Sequence, residues 1–241
     1  MKIFTTLARH RATSVALMMA AGSLTALDVA AAVPIPGLFS TGTDNVGAVL
    51  LAGAADTHYA LSKSGGDGPS VGTSGFVAPD SGFPIGYWVA NTATSKWLAP
   101  AVNAAATYDA TSNGIYTWTL SFNLSGYDPL SASFSGRWAT DNSGQIKLNG
   151  TLLAVGSSSG FNTWTNFSST GGSFATGLNT LDFIVTNLAQ SGGNPTGLQV
   201  QFLSSSVTPV PEPESYGMLL AGLGLVGFVT RRRLLHSGVL A

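Results

Sequence analysis

The stretch that decides the fold reads Tyr116-Thr117-Trp118-Thr119-Leu120-Ser121-Phe122-Asn123-Leu124. Apolar side chains take every second position, and Thr, Ser and Asn take the positions between them. Successive side chains of an extended chain point to opposite sides of a sheet. The alternation therefore predicts a strand with one buried face and one hydrated face.

The same alternation returns on both sides of this strand. The further strand candidates are 132–138, 146–148, 152–155, 161–167, 181–185 and 198–202, with weaker candidates at 46–51, 87–90 and 97–98. Asn149-Gly150 separates two of these runs and predicts a tight hairpin, because both residues tolerate positive φ. Strands that return about every 10–18 residues favour an antiparallel fold over an α/β fold. The sequence therefore predicts one all-β ectodomain over residues 33–208, built as an antiparallel two-sheet β-sandwich of the jelly-roll type.

Charge is scarce in this chain. Lys and Arg number 10, Asp and Glu number 11, and charged residues make up only 9% of the total. A protein that binds nucleic acid by neutralising phosphates needs a basic stripe, so this composition excludes nucleic acid as a partner. Residues 33–208 contain no Glu, and their only His is His58. Because the sequence shows no nucleophile triad, no motif of paired carboxylates and no zinc-ligand set, we expect no enzyme activity and no cofactor.

The N-terminal segment is typical of a secretory signal peptide. Lys2, Arg9 and Arg11 precede an apolar run over 15–27, and three small residues follow at 30–32. This order predicts a helical signal peptide at residues 1–32, which signal peptidase removes during export. Because the chain has no Cys, the exported domain has to rely on its packed core and not on disulfides.

The C-terminal segment combines three features in a fixed order. They are the proline-rich run Val210-Pro211-Glu212-Pro213, an apolar run from Tyr216 to Val229, and the basic cluster Arg231, Arg232 and Arg233. The prolines deny the backbone regular hydrogen bonds and predict an extended, accessible strip. The apolar run is shorter than the about 20 residues of a comfortable membrane span, and the arginines are expected to act as a membrane stop on the cytoplasmic side. We therefore predict a sorting segment at 209–235 with a short transmembrane helix at about 216–230, and a cytoplasmic tail at 236–241.

These three features resemble the PEP-CTERM sorting signal of Gram-negative bacteria. The resemblance covers residues 209–235 and implies processing by an exosortase, a membrane-embedded cysteine transpeptidase. It implies that the tail is a transient anchor in the inner membrane, after which the protein reaches the cell surface or the extracellular matrix. Proteins with this signal accompany exopolysaccharide production, which makes exopolysaccharide a candidate partner.

A second resemblance covers residues 114–203. The hairpin run Arg137–Gly150, the strand Gly177–Asn187 and the closing Gly197–Val200 resemble galactose-binding-like jelly rolls. The resemblance implies a jelly-roll fold and says little about a ligand, because that fold carries many functions.

Three residues are candidate carbohydrate contacts. Trp97 and Trp164 have polar neighbours, and aromatic rings stack on sugar faces while amides such as Asn166 bind hydroxyl groups. The alternative for each Trp is a place in the core, and for any single Trp this is the favoured interpretation. Asp141 and Asn142 offer oxygen ligands for a structural calcium ion, but the run Asp-Asn-Ser-Gly is also turn-forming, and the turn is the favoured interpretation.

Two function hypotheses follow. The first is a non-catalytic exported surface or matrix protein that an exosortase sorts and that is associated with exopolysaccharide. The alternative is a carbohydrate-binding module with a specific site on the jelly-roll loops. Two or more exposed aromatic side chains beside Asn or Asp in one groove would favour the alternative. A glycan-active enzyme would need two Asp carboxylates in one cleft, and an ice-binding surface would need a regular Thr array, which the sequence lacks.

Overall fold

The structure, a computed structural model, describes residues 30–156, 160–211 and 213–237. Most of the predicted signal peptide, Glu212 of the sorting motif and the last four residues of the predicted cytoplasmic tail therefore lie outside the described residues. Ala31 and Ala32 are exposed and belong to no strand or helix, so the predicted cleavage site is open to a protease.

The described chain is built from ten strands and a C-terminal helix. The strands are β1 Ala55–Gly65, β2 Ser74–Val77, β3 Leu98–Ala99, β4 Gly114–Asn123, β5 Tyr127–Asp141, β6 Ser143–Leu148, β7 Thr151–Gly156, β8 Thr165–Thr170, β9 Leu178–Asn187 and β10 Gly197–Pro209. Two single-turn 3₁₀ helices, Gly160–Asn162 and Gly171–Ser173, flank β8, and helix α1 spans Pro213–Ser237. The predicted all-β class is confirmed.

The strands pair antiparallel in one continuous sheet, in the order β7-β6-β9-β4-β1-β2-β3-β10-β5-β8. The sheet folds over so that its two halves face each other. Trp138 of β5 and Phe167 of β8, at one end of the order, lie 6.2 and 5.9 Å from the ring of Phe183 of β9, near the other end. The two faces of the predicted sandwich are thus the two halves of a single curved sheet, closed around an aromatic core.

The strand predicted from residues 116–124 is confirmed as β4. Tyr116, Trp118, Leu120 and Phe122 are buried, while the residues between them are half-buried or exposed. On the neighbouring strand β9, Phe183 pairs with Trp118. The buried face predicted from the alternation is therefore the core face of the sheet.

The Asn149-Gly150 hairpin is confirmed as well. The two residues join β6 to β7, with φ of 51° at Asn149 and 81° at Gly150. Both angles lie in the left-handed region, which Asn tolerates and Gly adopts at little cost.

Two of the weaker strand predictions are wrong. Residues 46–51 form a loop in which Val46 and Leu51 are largely exposed, and 87–90 belong to an irregular segment between β2 and β3. Strand β1 was not among the predicted strands. Its inward face carries Lys63 beside Tyr59 and Leu61, and that charged residue breaks the apolar alternation on which the prediction relied.

The C-terminal segment forms a helix, as the apolar run predicted. The side chains of α1 that are described lie mostly exposed, including Leu220, Leu225 and Phe228. Within the described residues, no helix has both the length and the hydropathy that a membrane crossing requires.

Candidate functional site

The irregular segment between β2 and β3 crosses the outer face of the sheet and forms a small second core there. The rings of Trp88 and Trp97 lie 4.2 Å apart, and they pack with Ala99 and Ala139 from the sheet. Trp97 has 0% exposure, and its indole Nε1 donates a hydrogen bond to the carbonyl of Val89 at 2.7 Å. The prediction of Trp97 as a carbohydrate contact is therefore wrong, because protein atoms cover the ring.

A pocket of about 310 Å³ opens beside this second core, where β5 ends and β6 begins. Its lining includes Phe83, Tyr87, Trp88, Asp141, Asn142 and Gln190. We call it the loop-end pocket. Its lining side chains are up to about a hundred positions apart in the sequence, so no local sequence motif predicted the pocket.

Two aromatic rings stand exposed at this pocket. Phe83 is 46% exposed and Tyr87 is 69% exposed, and their rings meet edge to face at 5.9 Å. Trp88, in contrast, is only 4% exposed and contributes a buried wall. The pocket thus offers aromatic surface that the described residues leave exposed.

The carboxyl group of Asp141 is the acidic group of the pocket. Oδ2 accepts a hydrogen bond from Trp88 Nε1 at 2.8 Å, and the backbone carbonyl of Asp141 accepts one from Thr196 Oγ1 at 2.6 Å. Burial raises the pKa of Asp141 to about 7, although the Trp88 hydrogen bond lowers it in part. Near neutral pH the group can therefore either donate or accept a hydrogen bond.

Asn142 adds an amide beside this carboxyl group. The side-chain Oδ1 of Asn142 accepts a hydrogen bond from the backbone N–H of Leu188 at 2.8 Å. The backbone N–H of Asn142 donates to the carbonyl of Thr186 at 3.2 Å. The bond to Oδ1 holds the side chain, and within the part of the chain that the structure describes the Nδ2 group of Asn142 has no hydrogen-bond acceptor.

Asp141 and Asn142 were also the calcium candidates. The structure places them at the direct connection between β5 and β6, with a bend at Asn142. Ser143 and Gly144 already belong to β6, and β5 and β6 do not pair, so this run does not form the expected β-turn. One oxygen of each side chain accepts a hydrogen bond from the protein. Among the described residues there is no group of three or more His, Cys, Asp or Glu side chains arranged to hold a metal ion.

Trp164 and Asn166 do not line the loop-end pocket, although the Trp164 ring packs partly buried against the same second core. The guanidinium group of Arg137 covers one side of the half-buried Trp164 ring at 4.4 Å from its centroid. Asn166 is exposed and pairs with Arg137 across β5 and β8, while Arg137 Nε donates to Gln201 Oε1 at 2.8 Å. Arg137 precedes Asp141 by four positions on β5, or about 13 Å at the usual strand rise. The structure thus brings two of the predicted carbohydrate contacts close to Arg137, and neither of them is part of the lining of the loop-end pocket.

Phe83 and Tyr87 are the site residues that the sequence analysis missed. Tyr87 was overlooked because 87–90 was interpreted as a weak strand. A weak signal was present, since both residues lie among Gly82, Pro84 and Gly86, which mark a loop, and binding residues are frequent on loops. The signal does not by itself predict exposure, because Trp88 lies in the same segment and is buried.

The sorting segment begins where β10 ends. Val210 donates its N–H to the carbonyl of Gly126 at 2.8 Å, and its side chain is 51% exposed. Pro211 is exposed and lies outside both β10 and α1, whereas Pro213 is the first residue of α1, so the extended strip is shorter than the sequence predicted. Arg231 and Arg232 are exposed on the last turns of α1, and Arg233 lies within the same helix.

Comparison with known proteins identifies this segment. The model of the PEP-CTERM protein-sorting motif matches residues 209–233. A solved PA14 sugar-binding domain from an RTX adhesin is similar over 47% of this chain and 72% of that chain, with 11% sequence identity and a TM-score of 0.27. Similarity at that level carries no argument about this chain. No curated protein matches it. The chain thus carries a PEP-CTERM protein-sorting motif, which implies export, transient anchoring through the C-terminal tail and processing by an exosortase.

Proposed function

We propose that this is a non-catalytic surface or matrix protein, sorted by an exosortase, whose β-domain binds carbohydrate in the loop-end pocket. The observation that carries the proposal is the pair of exposed rings of Phe83 and Tyr87 beside Asp141 and Asn142 in one pocket. This is the arrangement that favours a binding module over a surface protein without a ligand.

The chemistry of the pocket suits a sugar. An exposed aromatic ring offers an apolar face to the C–H side of a pyranose ring. The Asp141 carboxyl and the Asn142 Nδ2 group can bind hydroxyl groups at the edge of the same ring. Because Trp88 holds Asp141 and the backbone of Leu188 holds Asn142, these polar groups are fixed before the ligand arrives, which limits the entropy lost on binding.

The size of the pocket favours a short saccharide. Its volume of about 310 Å³ lies at the lower end of the usual range for ligand pockets, about 300–1,000 Å³. A terminal sugar or a branch of a polysaccharide therefore fits better than a long enclosed chain. The sorting motif supports an extracellular polysaccharide as the source of that sugar, since exosortase systems accompany exopolysaccharide production.

The lining also argues for binding without hydrolysis. Most glycosidases place two carboxyl groups on either side of the scissile bond. Asp141 is the one carboxyl group among the residues described at this pocket. We therefore propose a lectin-like role and no catalysis.

A glycan array with the purified full chain tests this function. We expect a restricted set of glycans to bind, and Tyr87→Ala to weaken that binding about tenfold through the loss of ring contact. Tyr216→Ala is the matched control, because Tyr216 is also exposed but lies on α1, outside the pocket. An array without bound glycans, or equal loss in the two variants, would contradict the proposal.

A further inference from the structure

A buried lysine lies at the end of the core where β1, β4 and β9 meet the segment before β4. Its surroundings, which we call the lysine cluster, are Lys63, Asp109, Tyr116 and Asn187. Lys63 Nζ lies 3.0 Å from Asp109 Oδ1, and the two side chains are only 11% and 0% exposed. The proposed carbohydrate site does not use this pair.

The two carboxyl oxygens of Asp109 have different partners. Oδ2 accepts hydrogen bonds from the Tyr116 hydroxyl at 2.8 Å and from Asn187 Nδ2 at 2.9 Å. Oδ1 is buried and, among the described residues, accepts no hydrogen bond, although the Lys63 amine is beside it. The carboxyl group is thus polarised towards Oδ2, while Oδ1 faces a primary amine.

The backbone around Asp109 is shaped to hold this group. A Cβ atom at Gly66 or at Gly114 would overlap the Asp109 carboxyl group. Asp109 itself has a φ of 56°, in the left-handed region that costs a non-glycine residue energy. Its N–H donates to the carbonyl of Asp67, and its carbonyl accepts from Gln190. The position of the carboxyl group is therefore imposed by several elements and not by the ion pair alone.

We propose that Lys63 and Asp109 join in an intramolecular amide bond. In this step a bond forms between Lys63 Nζ and Asp109 Cγ, and the bond between Cγ and Oδ1 breaks. The ammonium and carboxylate groups together become a neutral amide, and Oδ1 leaves with two protons from Nζ as one water molecule. No oxidant, reductant or further reactant is needed.

The lysine cluster contains a group for each requirement of this condensation. Nζ and Oδ1 lie 3.0 Å apart, so a proton can pass directly from Nζ to Oδ1 to give the neutral amine and acid that react. Tyr116 and Asn187 donate to Oδ2, the oxygen that carries negative charge in the tetrahedral intermediate, as donors of an oxyanion hole do. The fixed approach of amine to carboxyl replaces a bimolecular encounter, and the low exposure of both groups leaves little water to reverse the reaction.

The bond would serve a domain that has no disulfide. The chain contains no Cys, and an amide between β1 and the segment before β4 closes a chain loop covalently. Such closure restricts the unfolded chain in the way that a disulfide does, and it resists the reductants that cleave disulfides.

Mass spectrometry of the purified, denatured full chain tests the proposal. We expect the wild-type chain to be lighter than its sequence requires by one water molecule, and Lys63→Arg to have the full mass, since arginine keeps the charge but does not form the amide. Trypsin should leave Lys63 uncut and yield the peptide that ends at Lys96 linked to the peptide that spans 97–137, which carries Asp109. Tyr116→Phe should reduce the linked fraction because it removes one donor to Oδ2.

Several results would overturn the assignment. They are a wild-type chain of full mass, a loss of water that persists in Lys63→Arg, which would indicate dehydration of an Asp residue, and a loss of ammonia with a link to Asn187. The mass of the wild-type chain and its linked peptides test the amide bond even if a variant does not fold.

Discussion

Asp141→Asn is the substitution that probes the loop-end pocket most sharply without a ligand. Asparagine has almost the same shape and keeps an oxygen that can accept the hydrogen bond of Trp88 Nε1, which now binds Oδ2 at 2.8 Å. It removes only the ability to ionise. Any effect of pH on stability that is present in the wild-type protein and absent in the variant is therefore due to this carboxyl group.

The size of the effect follows from the pKa of Asp141, which burial raises from 3.8 to about 7. At about pH 3 or below, which is under the ordinary pKa of 3.8, the group is largely protonated in the folded and unfolded chains alike, and its contribution to stability is essentially fully present. As the pH rises from about 4 to about 7, the unfolded chain ionises while the folded chain keeps its proton, so stability is lost. The whole difference corresponds to about 4 kcal/mol, at about 1.4 kcal/mol for each pH unit. Asp56, whose pKa burial also raises, acts in the same direction but is unchanged in the variant.

Urea unfolding of both proteins at a series of pH values measures this difference directly. We expect the two free energies of unfolding to be similar near pH 3 and Asp141→Asn to be the more stable by up to about 4 kcal/mol at pH 8. The pH 3 measurement is the internal control for any change in packing. Two results would refute the account of Asp141. One is a difference in unfolding free energy that stays constant with pH, and the other is a wild-type protein that becomes more stable relative to the variant as the pH rises.

Three further predictions concern the core and the two ends of the chain. Trp118→Ala should lower the free energy of unfolding by about 3–5 kcal/mol, and Thr117→Ala on the other face of β4 by less than half of that; denaturant unfolding in the reverse order would contradict the strand register. Residues 1–32 should be absent from the protein in the cell envelope, and N-terminal sequencing that begins at Met1 would argue against the signal peptide. Alanine in place of residues 211–213 should block processing but not membrane insertion, whereas neutral residues in place of 231–233 should impair retention or orientation. Fractionation and gel mobility in a host with an exosortase distinguish these outcomes, and unchanged processing of the alanine variant would show that the motif is not the recognition element.

The elements that the sequence predicted well are those in which local pattern and burial agree. In β4 and at Asn149-Gly150, alternation and turn chemistry depend on near neighbours alone, so the strand and the hairpin were both predicted correctly. The sorting segment was also recognised from the sequence, because its prolines, apolar run and arginines follow one another directly along the chain. Strand β1 was not predicted, because Lys63 lies on its inward face and interrupts the apolar alternation. Asp109, which is distant in sequence, stabilises Lys63 there.

The candidate site was only partly predictable for the same reason. Asp141 and Asn142 were singled out, but as calcium ligands or turn residues. Their role in the pocket depends on Trp88 and on the exposed ring of Tyr87, which reach them from the segment between β2 and β3. Trp97 was misjudged because its polar neighbours suggested exposure, whereas its ring packs against the tilted ring of Trp88 within the second core. Contacts across the fold, and not the sequence around each residue, decide such cases.

The central claim is that carbohydrate binds in the loop-end pocket, and the indole N–H signals of the protein report on it most directly. A ¹H–¹⁵N NMR titration with a glycan taken from the array should shift the Trp88 indole signal, because its Nε1 donates to Asp141 in the pocket. The Trp118 signal, from a fully buried ring in the main core, should stay in place. A titration that moves the Trp164 signal and leaves Trp88 unchanged would place the ligand beside Arg137 and contradict the account.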